Sequence, residues 1–451
     1  MSKKQIPESG IYDARELGVP KMLVLGLQHM FAMFGATVLV PALTGLSVSA
    51  TLLFAGLGTL LFHLLAKGKV PAFLGSSFAF IGGYQAIAMV GGELDTSLLP
   101  YACFGVALAG LMYVILSALF KVFGVKKVMR FFPPIVTGPV IICIGLTLSS
   151  SAINNCQTNW WIALVAILVV VVANIFGKGM IKIIPILLGV VASYLVAALT
   201  GNVDFSAVKD AAWVGLPFRW GNTVFGLFGR DDLDVSLLIT AAITIMPLSL
   251  ATMVEHIGDM CAISSTCGRN YLADPGLHRT LLGDGLATTL ASLFGAPANT
   301  TYGENTGVLA LSKVYDPKVI RIAAVLAILF SFSPKFEALV AAMPAATIDG
   351  VTMILYGMIS AVGVRNVVEN KVDFTKSRNV LIAALIMVLS IGISYSSLGA
   401  IRFNLGSVTI SLSGLAVGAI VGIILNAILP GKDYEFGSDQ QGDKSVNFIV
   451  Q

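Results

Sequence analysis

Fourteen apolar stretches follow one another along this chain, near residues 22–42, 49–66, 75–90, 101–122, 134–151, 159–177, 181–200, 235–260, 280–295, 299–313, 319–333, 348–363, 379–396 and 408–429. Several approach the roughly 20 residues a helix needs to cross a bilayer. Inside hydrocarbon a segment must satisfy its own backbone N–H and C=O groups, so the expected fold is an all-α polytopic membrane protein. Composition agrees. Only 12% of the 451 residues are charged and 56% are hydrophobic, whereas a soluble domain averages about 25% charged.

The basic residues alternate between the two sides. With the N-terminus inside, Lys209, Arg219, Arg230, Lys335 and Arg402 fall outside and the remaining Lys and Arg fall inside. The positive-inside rule therefore places both termini in the cytoplasm. Residues 1–20 are polar and lack an apolar core followed by a cleavage site, so no cleavable signal is expected. The sizeable outer loop, 201–234, carries Trp213 and Trp220, which suit lipid headgroups. The polar tail from Gly431 onward is expected to be disordered. The odd set Cys103, Cys143, Cys156, Cys261 and Cys267 contains no Cys-x-x-Cys pair. These read as small packing residues, with no disulfide framework and no metal site.

Fourteen divides into seven and seven, and a second copy of an odd-numbered half must enter the membrane upside down. Residues at matching places support such an inverted repeat. The first stretch carries Gln28-His29 and the eighth Glu255-His256; the third opens with Ser76-Ser77-Phe78-Ala79 and the tenth with Thr300-Thr301-Tyr302-Gly303. From His29 to Phe78 is 49 residues, and from His256 to Tyr302 is 46. Inverted repeats with short, interrupted segments at matching positions mark secondary transporters. The third and tenth stretches are expected to begin as short extended strands, with half-helices starting near mid-membrane. Pro133-Pro134 with Gly138-Pro139, and Pro344 with Gly350, are expected to break the starts of the fifth and twelfth stretches.

Two acids, Glu255 and Glu304, lie inside these stretches. An acid in hydrocarbon costs roughly 2.5–3.5 kcal/mol on insertion scales and persists where it faces a cavity or a partner. The segment Asn299 to Gly307 is too polar and glycine-rich for an ordinary spanning helix, and irregular backbone survives at that depth where it lines a site. Asp259 shares a helix face with Glu255 at i+4. His256 points roughly 100° away and suits packing. For Gln28 and His29, a proton relay, buttressing of the site and pure packing all stay open. The expected helix starts at Phe78 and Gly303 would offer backbone N–H donors, and Phe78 and Tyr302 flat apolar surface. Carboxylates plus N–H donors suit a flat, mostly uncharged ring carrying both N–H and C=O groups, as a nucleobase does. A bare anion would be repelled by the acids.

Several segments carry a family resemblance: Gln28 to Thr37, Lys67 to Phe80, Glu255-His256-Ile257-Gly258, Asp274 to Arg279 and Thr300 to Val308. Over residues 20 to 430 the chain resembles the bacterial uracil permeases of the nucleobase–ascorbate transporter (nucleobase:cation symporter) family. The resemblance implies fourteen segments in a seven-plus-seven inverted repeat. A core domain (residues 21–130 and 235–342) would hold the substrate, and a gate domain (131–234 and 343–430) would move against it, with tails at 1–20 and 431–451. It further implies proton-coupled import of uracil, no cofactor, and a homodimer formed through the gate domains. Carried over by position, Glu255 and Glu304 match the substrate carboxylates, and Phe78 and Gly303 the residues whose amides meet the base. Tyr302 and Tyr356 match pocket aromatics, and Thr352 the hydroxyl beside Tyr356.

Two places depart from the family pattern. Ser312-Lys313 stands where Thr-Arg is usual, a change that keeps hydroxyl and charge. Asp259 stands where uracil permeases usually carry His and purine-selective relatives tend to carry Asp, whereas Glu304 is the pyrimidine-type choice. Uracil is therefore the expected substrate, with xanthine or another purine base as the alternative. Coupling is expected to run through protonation of Glu304 and Glu255, with Asp259 and His29 as further candidates. Anion transport, a channel and an intramembrane enzyme fit less well: acids sit at the site, aromatics close it, and no His-Glu-x-x-His or similar cluster is present.

Overall fold

The computed structural model describes residues 10–90, 93–405 and 408–432. Eight helices of at least eight residues make up the first half and its continuation: α1 (Val19–Thr44), α2 (Val48–Leu65), α3 (Ile81–Ala88), α4 (Leu99–Phe123), α5 (Pro134–Cys156), α6 (Trp160–Phe176), α7 (Pro185–Leu199) and α8 (Val235–Ile245). Then come α9 (Ser249–Cys267), α10 (Leu277–Leu293), α11 (Gly303–Ser312), α12 (Pro317–Ser331), α13 (Pro334–Ala341), α14 (Ala345–Glu369), α15 (Ser377–Ser394) and α16 (Gly414–Ile428). Seven helical spans among the described residues are long and apolar enough to cross a membrane, or eight if the bent pair α12–α13 is one span.

Local chemistry sets the helix starts. Ser47, Asn159 and Asp234 cap α2, α6 and α8 through their side-chain oxygens. Proline opens α5, α7, α12 and α13, where its missing N–H costs nothing.

Three sequence expectations are corrected. Gly138-Pro139 does not interrupt α5, and Gly350 does not interrupt α14; a Cβ on Gly350 would stand 2.9 Å from the Ala163 Cα, so this glycine serves close packing on α6. The stretch 408–429 opens as a strand, β4 (Val408–Ser413), paired antiparallel with β3 (Ala400–Leu405) before α16 begins. The reason is legible in Val408-Thr409-Ile410-Ser411-Leu412-Ser413, a period-two run rich in β-branched residues. The expected run 235–260 falls within one apolar span, Val235–Cys267, which tightens to a single turn at Met246–Leu248 around Pro247, between α8 and α9.

Helix pairings fall into matched sets. α2 packs on α12 as α10 packs on α4, and α1 packs on α12 as α8 packs on α4. α6 packs on α7 as α15 packs on α16, while α6 meets α14 as α15 meets α5. The seams α2–α10 and α5–α14 lie between corresponding members of the two series. Where two spans must touch, small residues allow it: a Cβ on Gly145 would lie 2.0 Å from the Tyr356 carbonyl, and one on Gly363 2.7 Å from the Gly138 carbonyl.

Strands β1 (Leu74–Ser76) and β2 (Asn299–Thr301) form an antiparallel ribbon with Leu74 opposite Thr301, Gly75 opposite Thr300 and Ser76 opposite Asn299. Ser77 N–H donates to the Ala298 carbonyl at 2.8 Å and Tyr302 N–H to the Phe73 carbonyl at 3.0 Å, extending the ribbon at both ends. All six strand residues are buried.

Residues 10–17, placed in a tail from the sequence, strap the ends of α9 and α11. Ile11 N–H donates to the Lys313 carbonyl at 2.8 Å and Tyr315 N–H to the Ile11 carbonyl at 2.7 Å. The Tyr12 hydroxyl donates to the Cys267 carbonyl at 2.6 Å, and the Arg269 guanidinium covers the Tyr12 ring at 4.0 Å. Asp13 bonds Arg15, which holds its carboxyl well below the usual carboxylate range. The 431–451 tail lies outside the described residues from position 433 on. All five cysteines are buried. Large apolar side chains such as Leu119, Val122, Phe176, Leu199 and Val388 point outward, a surface that demands lipid in place of water.

Candidate functional site

The ribbon positions two helix starts. β1 runs through Ser77 into a single turn at Phe78–Phe80 and then α3; β2 runs through Tyr302 directly into α11. Three residue pairs span only about 10 Å, so both starts stand near one small volume. The first turn of a helix leaves N–H groups without intrahelical partners. At α11 that volume is open: Gly303 and Gly307 are exposed, and a Cβ on either would meet nothing within 4 Å.

Helix α9, which carries Glu255, packs against α11. Asp259, one turn further on the same face, accepts a hydrogen bond from the Thr301 hydroxyl at 2.8 Å and so ties α9 to β2. Glu255 and Asp259 are both half-buried, and Gly258 between them also has open space where a Cβ would stand. Glu304 lies in the first turn of α11; its side chain lies outside the described residues.

The aromatic candidates separate by role. Phe78 meets Tyr356 of α14 edge to face, with ring centroids 5.9 Å apart and planes at 83°. This contact joins the β1–α3 unit to the α5–α14 group. Tyr302 instead turns onto the ribbon: its hydroxyl donates to the Ser76 carbonyl at 2.9 Å and accepts from Thr37 at 3.4 Å. A Cβ on Gly75 would stand 2.6 Å from the Tyr302 ring, so Tyr302 locks the strand pair from behind.

His29 is fully buried, and the Asn305 amide lies 3.2 Å from its Nδ1 while donating to its backbone carbonyl at 3.1 Å. It therefore clamps α1 to α11. His256 faces away from the opening, with Nδ1 2.7 Å from the Asp284 carboxylate, both side chains fully buried. Thr352, buried on α14, donates to the Asp349 carboxylate at 3.1 Å, which also accepts from the Asn155 amide at 2.9 Å. Sequence reasoning passed over Asp284 and Asp349. The signal that marked Glu255, a lone acid in an apolar stretch, was present for both, and for Asp349 the break expected at Gly350 stood beside it as well.

A ribbon of buried backbone, two helix starts and a carboxylate-bearing helix bonded to the ribbon define the interior of a multi-pass membrane permease. The chain matches the Permease family (Xan_ur_permease) over residues 20–399 and belongs to it. It is 41% identical over 423 residues to the uracil permease of Bacillus caldolyticus, covering 92% of this chain and 93% of that one. It is 38% identical to the uracil permease of Bacillus subtilis (strain 168), covering 95% and 97%, and 36% identical to that of Escherichia coli (strain K12), covering 90% of each. The fold is also similar to the transmembrane domain of a cyanobacterium bicarbonate transporter BicA, with TM-score 0.54 at 16% identity over 93% of this chain and 99% of that one. SLC26A9 is similar at TM-score 0.63 and 13% identity, over 92% of this chain and 66% of that one. These last two likenesses speak to fold alone.

Proposed function

We propose that this permease imports uracil across the plasma membrane by proton symport, with both termini in the cytoplasm and the base bound between the starts of α3 and α11. The observation that carries the reading is the Asp259–Thr301 bond, which holds the Glu255 face of α9 against the ribbon from which α11 begins. Glu255 and Glu304 accept from the N–H edge of the base, and the Phe78 and Gly303 amides donate to its carbonyls. Phe78 and Tyr356 close one side, Thr352 lies one turn from Tyr356 on α14, and Tyr302 backs the ribbon. The uracil permeases similar over nearly the whole chain support this substrate. Asp259 supports xanthine as the second reading.

An ionised acid is costly at mid-membrane, so one proton taken with the neutral base lowers the cost of reorienting the loaded site. Glu304 and Glu255 are the coupling acids, Asp259 holds the ribbon, and His29 secures α11. The matched helix pairings support fourteen segments arranged as a seven-plus-seven inverted repeat. They also support a core of α1–α4 with α8–α13 and a gate of α5–α7 with α14–α16. The core reorients against the gate at the Phe78–Tyr356 contact, and gate domains pair two copies into a dimer.

The test is uptake of labelled uracil by cells lacking their own carriers, competed with xanthine and thymine, with and without a protonophore. Saturable uptake blocked by unlabelled uracil and lost with the protonophore is expected. Stronger competition by xanthine would transfer the assignment to purines, and uptake indifferent to the protonophore would remove proton coupling.

A further inference from the structure

A cavity of about 590 Å³ opens where the loop after α7 meets the junction of α12 and α13. The two helices turn through 86° there. α12 begins beside Lys318 and Arg321, and its 15 residues rise about 22 Å. The bend therefore stands toward the opposite membrane interface, and α13 lies along that interface. The floor of the cavity is apolar and firmly packed. Phe330 and Phe336 meet edge to face with centroids 6.3 Å apart, and Phe34 of α1 backs Phe336 at 5.2 Å. On one side the floor continues onto α12 through Leu329 and Val325, exposed residues one turn apart on the same face. In a spanning helix such a stripe lies against acyl chains.

The rim is polar and fixed in place. Gly215 N–H donates to the Phe332 carbonyl at 3.0 Å, and Lys335 N–H to the Ala212 carbonyl at 2.9 Å. Trp213 stands between these two bonds, so its backbone is pinned to the bend. Its ring lies 4.7 Å from Lys335 Nζ and is otherwise largely exposed. Among the described residues no carboxylate pairs with that ammonium. An indole with an apolar body and a wet N–H belongs at headgroup depth, and a lysine there without an acid lacks a counter-charge. We propose that this cavity binds an acidic phospholipid. Lys335 meets the headgroup phosphate, Trp213 covers the region below it, and one acyl chain lies over Phe330 and Phe336 and leaves along Leu329 and Val325. A zwitterionic headgroup would bring its own ammonium close to Lys335, so the site favours a net negative lipid. The site is separate from the ribbon and rests on the membrane fold, independent of the nucleobase reading.

The test titrates the purified full chain in detergent with phosphatidylglycerol carrying brominated acyl chains, and separately with phosphatidylcholine carrying the same chains. Bromine quenches tryptophan on contact, and the part of the quenching that disappears in Trp213→Phe reports this cavity. In the wild type that part is expected at about fivefold lower concentration of phosphatidylglycerol than of phosphatidylcholine, the effect of one lysine beside an anionic headgroup. Lys335→Gln should abolish the preference, and Lys335→Arg should keep it to within about 2-fold. Lys209→Gln, which removes an exposed base of the same loop outside the cavity lining, should leave it unchanged. Melting temperatures are measured alongside; should Lys335→Gln fail to fold, the wild-type comparison of the two lipids decides. No Trp213-dependent quenching, a preference that survives Lys335→Gln, or an equal loss in Lys209→Gln would each overturn the proposal. So would equal quenching by both lipids, which marks a merely apolar groove, or a Trp213 signal that follows protein concentration in place of lipid, which marks a second copy of the chain.

Discussion

Two glycines at the ribbon, Gly75 within β1 and Gly303 just beyond β2, predict opposite outcomes for the same change. In Gly303→Ala the new methyl meets no atom within 4 Å, and the backbone is not in the left-handed region. Replacing glycine at such a helical position stabilises a fold by about 0.4–1 kcal/mol, chiefly by restricting the unfolded chain. The melting temperature in detergent should therefore hold or rise. Yet the methyl projects into the open space at the start of α11, where the proposed base would meet the Gly303 amide, and a lost contact of about 1.4 kcal/mol raises KM about tenfold. In Gly75→Ala the methyl would stand 2.6 Å from the Tyr302 ring and 2.7 Å from Thr37 Oγ1. Overpacking of that kind costs about 1–3 kcal/mol, so the melting temperature should fall. Thermal unfolding followed by tryptophan fluorescence, beside initial rates of labelled uracil uptake, separates the two. A Gly303→Ala protein with wild-type KM would refute the placement of the ligand, and one as unstable as Gly75→Ala would refute the open volume itself.

Other outcomes follow from the same geometry. Glu255→Ala should abolish uracil binding to the detergent-solubilised protein, measured by scintillation proximity, and retained affinity would refute its role. Glu304→Gln should keep much of the binding but lose accumulation against a gradient; undiminished proton-driven accumulation would exclude it as the coupling acid. A double-mutant cycle of Asp259→Ala and Thr301→Val, read by melting temperature, should return a coupling of about 1–3 kcal/mol for a hydrogen bond to a charged group. Tyr12→Ala should lower the melting temperature by removing the Cys267 bond and the Arg269 contact, while leaving the KM for uracil within about 2-fold of wild type, since Tyr12 stands outside the opening.

Much of this architecture was legible because hydrocarbon is an unforgiving solvent. Apolar runs had to become helices, and the polar run Asn299 to Gly307 had to mark a special place; it opens as β2 and leads into α11. What the residues could not convey was direction. Tyr302 is as aromatic as Phe78, but its hydroxyl finds the Ser76 carbonyl, so its ring turns onto the ribbon. His29 and His256 occupy related places yet take different partners: Asn305 from a helix far along the chain, and Asp284 from the long helix that follows α9. Gly138-Pro139 and Gly350 read as breaks because local propensity favours breaks there. Long-range packing overrides that tendency where a neighbouring span needs the missing side chain's room. The alternation in Val408–Ser413 was a strand signal hidden inside a run whose mean hydropathy suited a helix.

The β1–β2 ribbon also bears on how the molecule is made. Leu74 to Ser76 leave the ribosome more than two hundred residues before their partners at Asn299–Thr301. Until then their backbone groups have no strand to pair with. Biogenesis must therefore shelter an incomplete first half, and a polypeptide stopped before β2 should be held by insertion factors or degraded. Co-expressing the missing half would supply the complementary strand and rescue it.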